Sequence, residues 1–266
     1  MLLFCGVVAL HGAPLREQLA EGGIEVESWS RLPTGSGLGT SSILAAALVA
    51  CVGRATGREY DADALVHAVL QVEQMLTTGG GWQDQAGGIL PGVKLCRSRP
   101  ALPLRVDCAV LPLGEGTLAT VNRHLQLVYT GKTRLARNLL QDVLRRWYSA
   151  HPAILANVAA LVANAEEMQA ALLRADVAAV GRCLDTYWAQ KKVMCDAEPP
   201  AISQMLRKLR PLVHGAELAG AGGGGFMLLV TREPNARAAV EAALEGEPVK
   251  VHAVAIHEGG LQTRVG

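Results

Sequence analysis

The chain has almost no charge imbalance. Lys and Arg number 25, Asp and Glu 24, a formal net charge of +1 over 266 residues. There is no basic stripe and no acidic tail, which argues against a nucleic-acid partner or an anionic membrane surface. An anionic ligand must then be held by local geometry rather than by a global field. None of the six cysteines (Cys5, Cys51, Cys96, Cys108, Cys183 and Cys195) forms a CxxC pair, and the seven histidines make no HExxH pattern. Cys51 lies in an apolar helix candidate and Cys108 in an apolar stretch. The set therefore reads as ordinary buried thiols of a reducing compartment, with a cytoplasmic location, rather than a disulfide frame or a zinc site. The apolar start "MLLFCGVVAL" lacks a basic n-region, and "HGAPLREQLAEGG" is a poor cleavage region. It is also too short to span a bilayer. It reads as a buried helix followed by a second one ending near Gly22. An apolar start without a cap further suggests that the chain begins inside a domain.

What is present is apolar material and glycine. Half of the residues are hydrophobic and 29 are glycine, enough to bury a sizeable core in one large domain or two ordinary ones. "IEVESWS", residues 24–30, alternates and predicts a strand. A glycine loop follows, then a helix over about 40–52 closed by Gly53, and a second helix over about 61–76 with Asp61 as N-cap. "TTGGGWQDQAGG" reads as a loop. "GILPGVKLC" and "LRVDCAVLPL" read as strands, and residues 111–117, "LPLGEGT", as the domain junction. The second half predicts a strand at "LQLVYT" and helices over about 134–149, 152–174, 176–195 and 200–213. In the first of these, Leu135, Leu139, Val143 and Trp147 form a stripe expected to face the core. "AELAGAGGGGFMLLVT" predicts strand, glycine turn, strand. Pro234 opens a further helix, and "VKVHAVAIH" closes the chain as a strand. Strands and helices mix without regular βαβ alternation, an α+β pattern.

Three stretches carry chemistry. In "PTGSGLGTSS", residues 33–42, glycines at 35, 37 and 39 precede an apolar helix. The first amides of a helix lack intrahelical partners and its dipole favours negative charge there, so a glycine loop at that point suits a phosphate. The Ser and Thr hydroxyls can donate to phosphate oxygens or bind Mg²⁺. A tight turn with Thr40 or Ser41 as a simple cap explains the stretch equally well. It is not a Walker A loop, since no Gly-Lys-Ser/Thr follows, and the "GKT" at 131–133 has Gln126 where a glycine is required. Glu73 falls on the apolar face of its helix, beside Val69, Val72 and Leu76, an uncomfortable place unless it is paired, binds a metal or reaches water from the helix edge. Asp84 follows three glycines at 79–81, with Trp82, Gln83 and Gln85 around it; the plainer reading is a surface turn. The third stretch is the run Gly222, Gly223, Gly224, Gly225 between apolar strands. It reads as a hairpin turn that lets another backbone or a ligand come close.

Together these residues resemble the GHMP kinases. "PTGSGLGTSS" looks like the family's phosphate-binding motif, "LAGAGGGGF" like its C-terminal glycine motif, and Glu73 and Asp84 stand at the separation of its Mg²⁺-binding Glu and catalytic Asp. "TSSILAAAL", "TGGGWQDQAGG", "LVYTGKTRLARNLL" and "WAQKK" look like the sugar-kinase branch containing the L-fucose and heptose-phosphate kinases. The resemblance implies an α+β GHMP kinase fold. An S5-like α/β ATP-binding domain, incomplete at its start, would cover 1–117, and a ferredoxin-like α+β domain 118–266. It implies ATP and Mg²⁺ as cofactors and transfer of the γ-phosphoryl group to the anomeric hydroxyl of L-fucose. Another GHMP sugar kinase, of the heptose-phosphate type, and a non-catalytic nucleotide-binding or interaction fragment stand as alternatives. Pro33, Gly35, Ser36, Gly37, Leu38, Gly39, Thr40, Ser41 and Ser42 would bind ATP, with Ser41 and Glu73 on Mg²⁺. Asp84 would orient the acceptor hydroxyl and take its proton late, because a carboxylate near a metal is a weak base. Trp82, Gln85 and Gly222 to Gly225 would shape the floor near the transferred phosphate and the sugar. The family's N-terminal substrate motif has no counterpart before Trp29, so the expectation is little or no kinase activity for this chain alone.

Overall fold

In the computed structural model, residues 2–19, 22–76, 80–131, 137–194, 198–220 and 222–264 are described. They divide into two compact units. One comprises Met1–Pro33, Gly39–Val110 and His257–Gly266, the other Thr34–Leu38 and Leu111–Ile256.

The first unit is built on α1 (Leu2–Gln18), α2 (Thr40–Ala55) and α3 (Ala62–Met75). As expected, α1 is two helices in one, bent at Gly12 with φ 36° and ψ −111°. Its Gly6 lets it press on α3, where an added Cβ would stand 2.9 Å from Val72 Cγ1. Val7, Val49, Val69 and Val72 meet in a core from which all four are excluded from solvent. The α3 reading holds closely: Asp61 caps it, its carboxylate accepting from Ala64 N at 2.8 Å. α2 outlasts its predicted end, because Gly53 lies inside the helix. There it makes room for the Arg58 carbonyl, 2.6 Å from where a Cβ would be, and its own carbonyl accepts from Arg58 N. The helix stops instead at Thr56 and Gly57, whose φ of +70° suits a left-handed terminator.

Two readings of this unit need correction. Residues 22–30 form no strand and lie exposed, and neither sheet contains them. Alternation marks a face for burial, but a strand also needs a paired edge for its backbone groups. The stretch read as a loop contains α4 (Gln83–Ile89), with Gln85, Ala86 and Ile89 buried; Gly79 lies outside the described residues. The two strands beyond are β1 (Lys94–Ser98) and β2 (Val106–Val110), an antiparallel pair in which Cys96 stands opposite Cys108.

The second unit opens with α5 (Glu115–His124), which the sequence reading missed, and runs directly into β3 (Leu125–Tyr129). Three long helices follow, α6 (Arg137–Tyr148), α7 (Pro152–Leu173) and α8 (Val177–Met194), then α9 (Pro200–Leu209). Strands β4 (Val213–Leu218) and β5 (Phe226–Thr231) flank the glycine run; α10 (Arg237–Ala243) and β6 (Lys250–His252) end the unit. The sheet is antiparallel, in the order β4-β5-β3-β6, with a register shift between Val213 and Gly215. Helix α8 lies on β4 through two glycines, since a Cβ on Gly215 would overlap the Gly181 carbonyl. Met205, Leu209, Met227 and Leu229 fill the core beneath the sheet. Helix α10 begins three residues after Pro234, because Asn235 adopts φ 55° and donates its N–H to Arg123 O. The closing strand covers only three of the nine residues expected.

The described part of the α6 stripe is not buried in a core. Trp147 is 42% exposed and Val143 half-buried; Leu135 and the Leu139 side chain lie outside the described residues. The buried-thiol expectation also fails for most cysteines. Cys183 is buried, Cys96 and Cys108 are half-buried, and Cys5 and Cys51 are exposed; Cys195 is outside the described residues. Cys51 sits one step, about 100°, from the buried Val52, so helix periodicity turns it outward. Among the described residues, no helix is long and apolar enough to cross a membrane.

Candidate active site

In the first unit the chemistry gathers where α2, α3 and α4 meet. The N-cap of α2 is Gly39, with φ 66° and no side-chain cap. Gly39 itself offers no side chain to cap the leading amides, and the helix dipole makes that end electropositive. Gly39 is small for a visible reason: a Cβ there would stand 3.2 Å from both Cβ and Cγ of Asp84. One turn on, a Cβ on Gly88 would overlap Ile43. Residues 39 and 43 thus face 84 and 88, four apart on each helix, so α2 and α4 run side by side in the same direction. The exposed Asp84 in the first turn of α4 therefore lies beside the first turn of α2.

Behind them stands Glu73 on α3, 7% exposed. Ser42 donates its hydroxyl to Glu73 Oε1 at 2.7 Å, and Gln85 donates Nε2 to Oε2 at 2.6 Å. Ser41 also hydrogen-bonds this carboxylate. Burial raises the Glu73 pKa above its ordinary value. The negative charge of Asp84 adds to the rise, while the bonds from Ser42, Ser41 and Gln85 oppose it. Gln85 is fully buried, and its Oε1 has no hydrogen-bond partner. Trp82 occupies the N-cap position of α4 and donates its indole N–H to Ser98 Oγ at 3.2 Å. The sequence reading named Ser41 with Glu73. It did not foresee that Ser42 and Gln85 are the buried side chains that fix this carboxylate. The signal was available, since residues 42 and 45 share the buried side of α2.

A cation suits this donor set. A carboxylate such as Glu73, whose charging is made costlier by Asp84 and which has hydroxyls beside it, is relieved by a hard divalent ion. Mg²⁺ takes one or two carboxylates and completes its shell with phosphate oxygens and water, so no larger cluster is needed.

In the second unit the start of the glycine loop packs on the glycine run. Ser36 is buried, its hydroxyl accepts from Leu38 N at 3.3 Å, and its carbonyl accepts from Phe226 N at 2.9 Å. An added Cβ on Gly37 would stand 2.7 Å from Ala219 O, and one on Gly220 2.8 Å from Gly37 Cα. A Cβ on Gly225 would overlap Ser36 O. Gly222, Gly223, Gly224 and Gly225 are all buried. The close approach that the glycine run permits is thus, first of all, to another stretch of backbone.

The chain belongs to the GHMP kinases. The model of the GHMP kinases N terminal domain matches residues 7–92, and that of the GHMP kinases C terminal matches 168–250. Among curated relatives, the chain is 34% identical over 239 residues to an L-fucokinase/L-fucose-1-P guanylyltransferase of Bacteroides fragilis, covering 89% of this chain and 25% of that protein. It is 33% identical over 215 residues to a bifunctional fucokinase/GDP-fucose pyrophosphorylase of Arabidopsis thaliana, covering 79% and 20%. The chain thus spans a fifth to a quarter of the length of these relatives. The crystal structure of Lactococcus lactis galactokinase shares the fold, with a TM-score of 0.68 at 17% identity, covering 94% of this chain and 75% of that one.

Proposed function

We propose that the chain is the kinase part of an ATP- and Mg²⁺-dependent sugar kinase, with the anomeric hydroxyl of L-fucose as acceptor and fucose 1-phosphate as product. The observation that carries the reading is the buried Glu73, held by Ser42 and Gln85 beside the glycine N-cap of α2, with Asp84 against Gly39. The fucose assignment is supported by the similarity to fucokinases over most of this chain.

Phosphoryl transfer asks a protein mainly for positioning and charge neutralisation. The leading amides of α2, at Thr40, Ser41 and Ser42, point along the helix axis and would hold phosphate oxygens. Glu73 and Ser41 would hold Mg²⁺, with Ser42 and Gln85 orienting the carboxylate. Bound Mg²⁺ supplies charge neutralisation across the phosphates. Asp84 would accept a hydrogen bond from the acceptor hydroxyl, aim its oxygen and take its proton as the new bond forms. Gly35 and Gly37 would keep the loop narrow enough for phosphate to approach the backbone, and Trp82 would offer an aromatic wall to the sugar.

The test is purified chain incubated with ATP, Mg²⁺ and a panel of free sugars and sugar phosphates. Weak fucose-dependent ADP release that disappears in Asp84→Ala is the expected result, since this chain alone is expected to have little kinase activity. Release driven instead by a heptose phosphate would move the substrate within the branch. Nucleotide binding with no turnover would make the chain a binding fragment, and activity unchanged in both Asp84→Ala and Glu73→Gln would overturn the site.

A further inference from the structure

The hairpin of β1 and β2 places Cys96 directly opposite Cys108. Directly opposed residues of an antiparallel pair have Cα atoms about 4.5–5.5 Å apart, inside the span a disulfide bridges. Both thiols are free and half-buried. Cys96 also has an informative place in its strand. Lys94, Cys96 and Ser98 alternate onto one face of β1. Lys94 Nζ donates to the carbonyls of Gly87 and Leu90 at the end of α4, at 3.0 and 2.6 Å. Ser98 Oγ accepts from Trp82 at its beginning. The helix that carries Asp84 is therefore held at both ends by the strand whose middle residue is Cys96.

We propose that Cys96 and Cys108 form a reversible dithiol switch, oxidised to a cross-strand disulfide by thiol–disulfide exchange with a small disulfide such as glutathione disulfide, and that closing it stiffens the hold of β1 on α4. The sulfur of Cys108 attacks one glutathione sulfur and displaces a glutathione thiolate. The sulfur of Cys96 then attacks the mixed disulfide at Cys108 and releases the second glutathione. Each departing thiolate takes up one of the two thiol protons, so two protein thiols and one glutathione disulfide give one protein disulfide and two glutathione thiols. Burial, with the neighbouring Cys108, raises the pKa of the Cys96 thiol, so the first attack is assigned to Cys108; Cys96, held beside the mixed disulfide, gives up its proton to the departing glutathione thiolate as it attacks in the second step. This switch goes beyond the proposed kinase chemistry and is read without an activity assay.

The full chain is incubated with excess glutathione disulfide, quenched, digested with trypsin and mapped by mass spectrometry. The expected product is a dithiothreitol-sensitive link between peptides 95–97 and 106–123, which carry Cys96 and Cys108. In Cys96→Ser the expected product is a lasting glutathione adduct on Cys108. In the oxidised chain, amide hydrogen exchange across residues 83–90 should slow at least several-fold, and in Cys96→Ser it should not. Glutathione adducts confined to the exposed Cys5 and Cys51, with no linked peptide in the wild type, would overturn the switch. A linked peptide with unchanged exchange across 83–90 would overturn its coupling to α4.

Discussion

The hydroxyl of Ser42 donates to Oε1 of Glu73 at 2.7 Å, a bond between buried side chains 31 residues apart. It joins the second helix to the third at a carboxylate whose burial makes it costly to keep charged. Ser42→Ala removes the donor and leaves a buried charged acceptor short of a partner. A loss of about 1–3 kcal/mol is expected by chemical denaturation. The loss should depend on pH. Burial raises the folded pKa of Glu73 above its unfolded value, so folding takes up a proton and stability falls as pH rises through that window. Removing a bond that favours the charged form raises the folded pKa further. The deficit of Ser42→Ala should therefore be larger at pH 8 than at pH 5. An equal deficit at both would mean that the hydroxyl does not support a charged Glu73.

Gly39→Ala tests the packing of Asp84 on the α2 N-cap. The new methyl must occupy a left-handed backbone, φ 66°, and stands 3.2 Å from Cβ and Cγ of Asp84. The conformational part costs roughly 1–2 kcal/mol. The steric part displaces the carboxylate. Nucleotide binding, followed by calorimetry, should weaken by more than the stability loss alone explains. Binding as tight as in the wild type would separate Asp84 and Gly39 from the nucleotide site.

Two further glycines separate conformation from contact. Gly57 has φ +70° and open space where a Cβ would go; Gly225 has φ +93° and the Ser36 carbonyl in that place. Gly57→Ala should lose roughly 1–2 kcal/mol, the left-handed penalty alone. Gly225→Ala must in addition push Ser36 away and break the bond from Phe226 N to Ser36 O. Its melting temperature should fall well below that of Gly57→Ala. Similar melting temperatures for the two would show that the glycine run has slack the structure does not suggest.

Which features could be read beforehand follows from their range. Asp61 caps α3 through a residue three positions away, and Leu65, Val69 and Val72 repeat at helical spacing, so that helix was legible from local chemistry. Residues 24–30 have the alternation of a strand, but pairing is supplied by other segments and none joins them. Helix α4 was hidden because Gly87 and Gly88 read as loop formers, whereas Gly88 is there to admit Ile43 of α2. The glycines of 35–39 and 222–225 were legible as places of close approach. What approaches them, Ala219, Ser36 and Asp84, is a tertiary fact. Glu73 stood out as a carboxylate on an apolar face. Its partners Ser42 and Gln85 come from two other helices, and no spacing within α3 encodes them.

Glu217, on β4 opposite Leu228, carries the clearest pH dependence outside the candidate site. Its Oε2 is buried without a hydrogen-bond partner, and burial pushes its pKa up to about 7, with Lys191 opposing the rise. A raised carboxyl pKa means that folding takes up a proton between the unfolded value near 4.5 and about 7. Stability from this group is intact below that window and declines as pH rises through it, by at most about 3 kcal/mol. Glu217→Gln keeps the shape and removes the charge. The Gln variant should therefore melt at a higher temperature than the wild type at pH 8, and the gap should shrink towards pH 5. A Gln variant less stable than the wild type at pH 8 would mean that the ionised carboxylate is stabilised by its lysine more than burial penalises it.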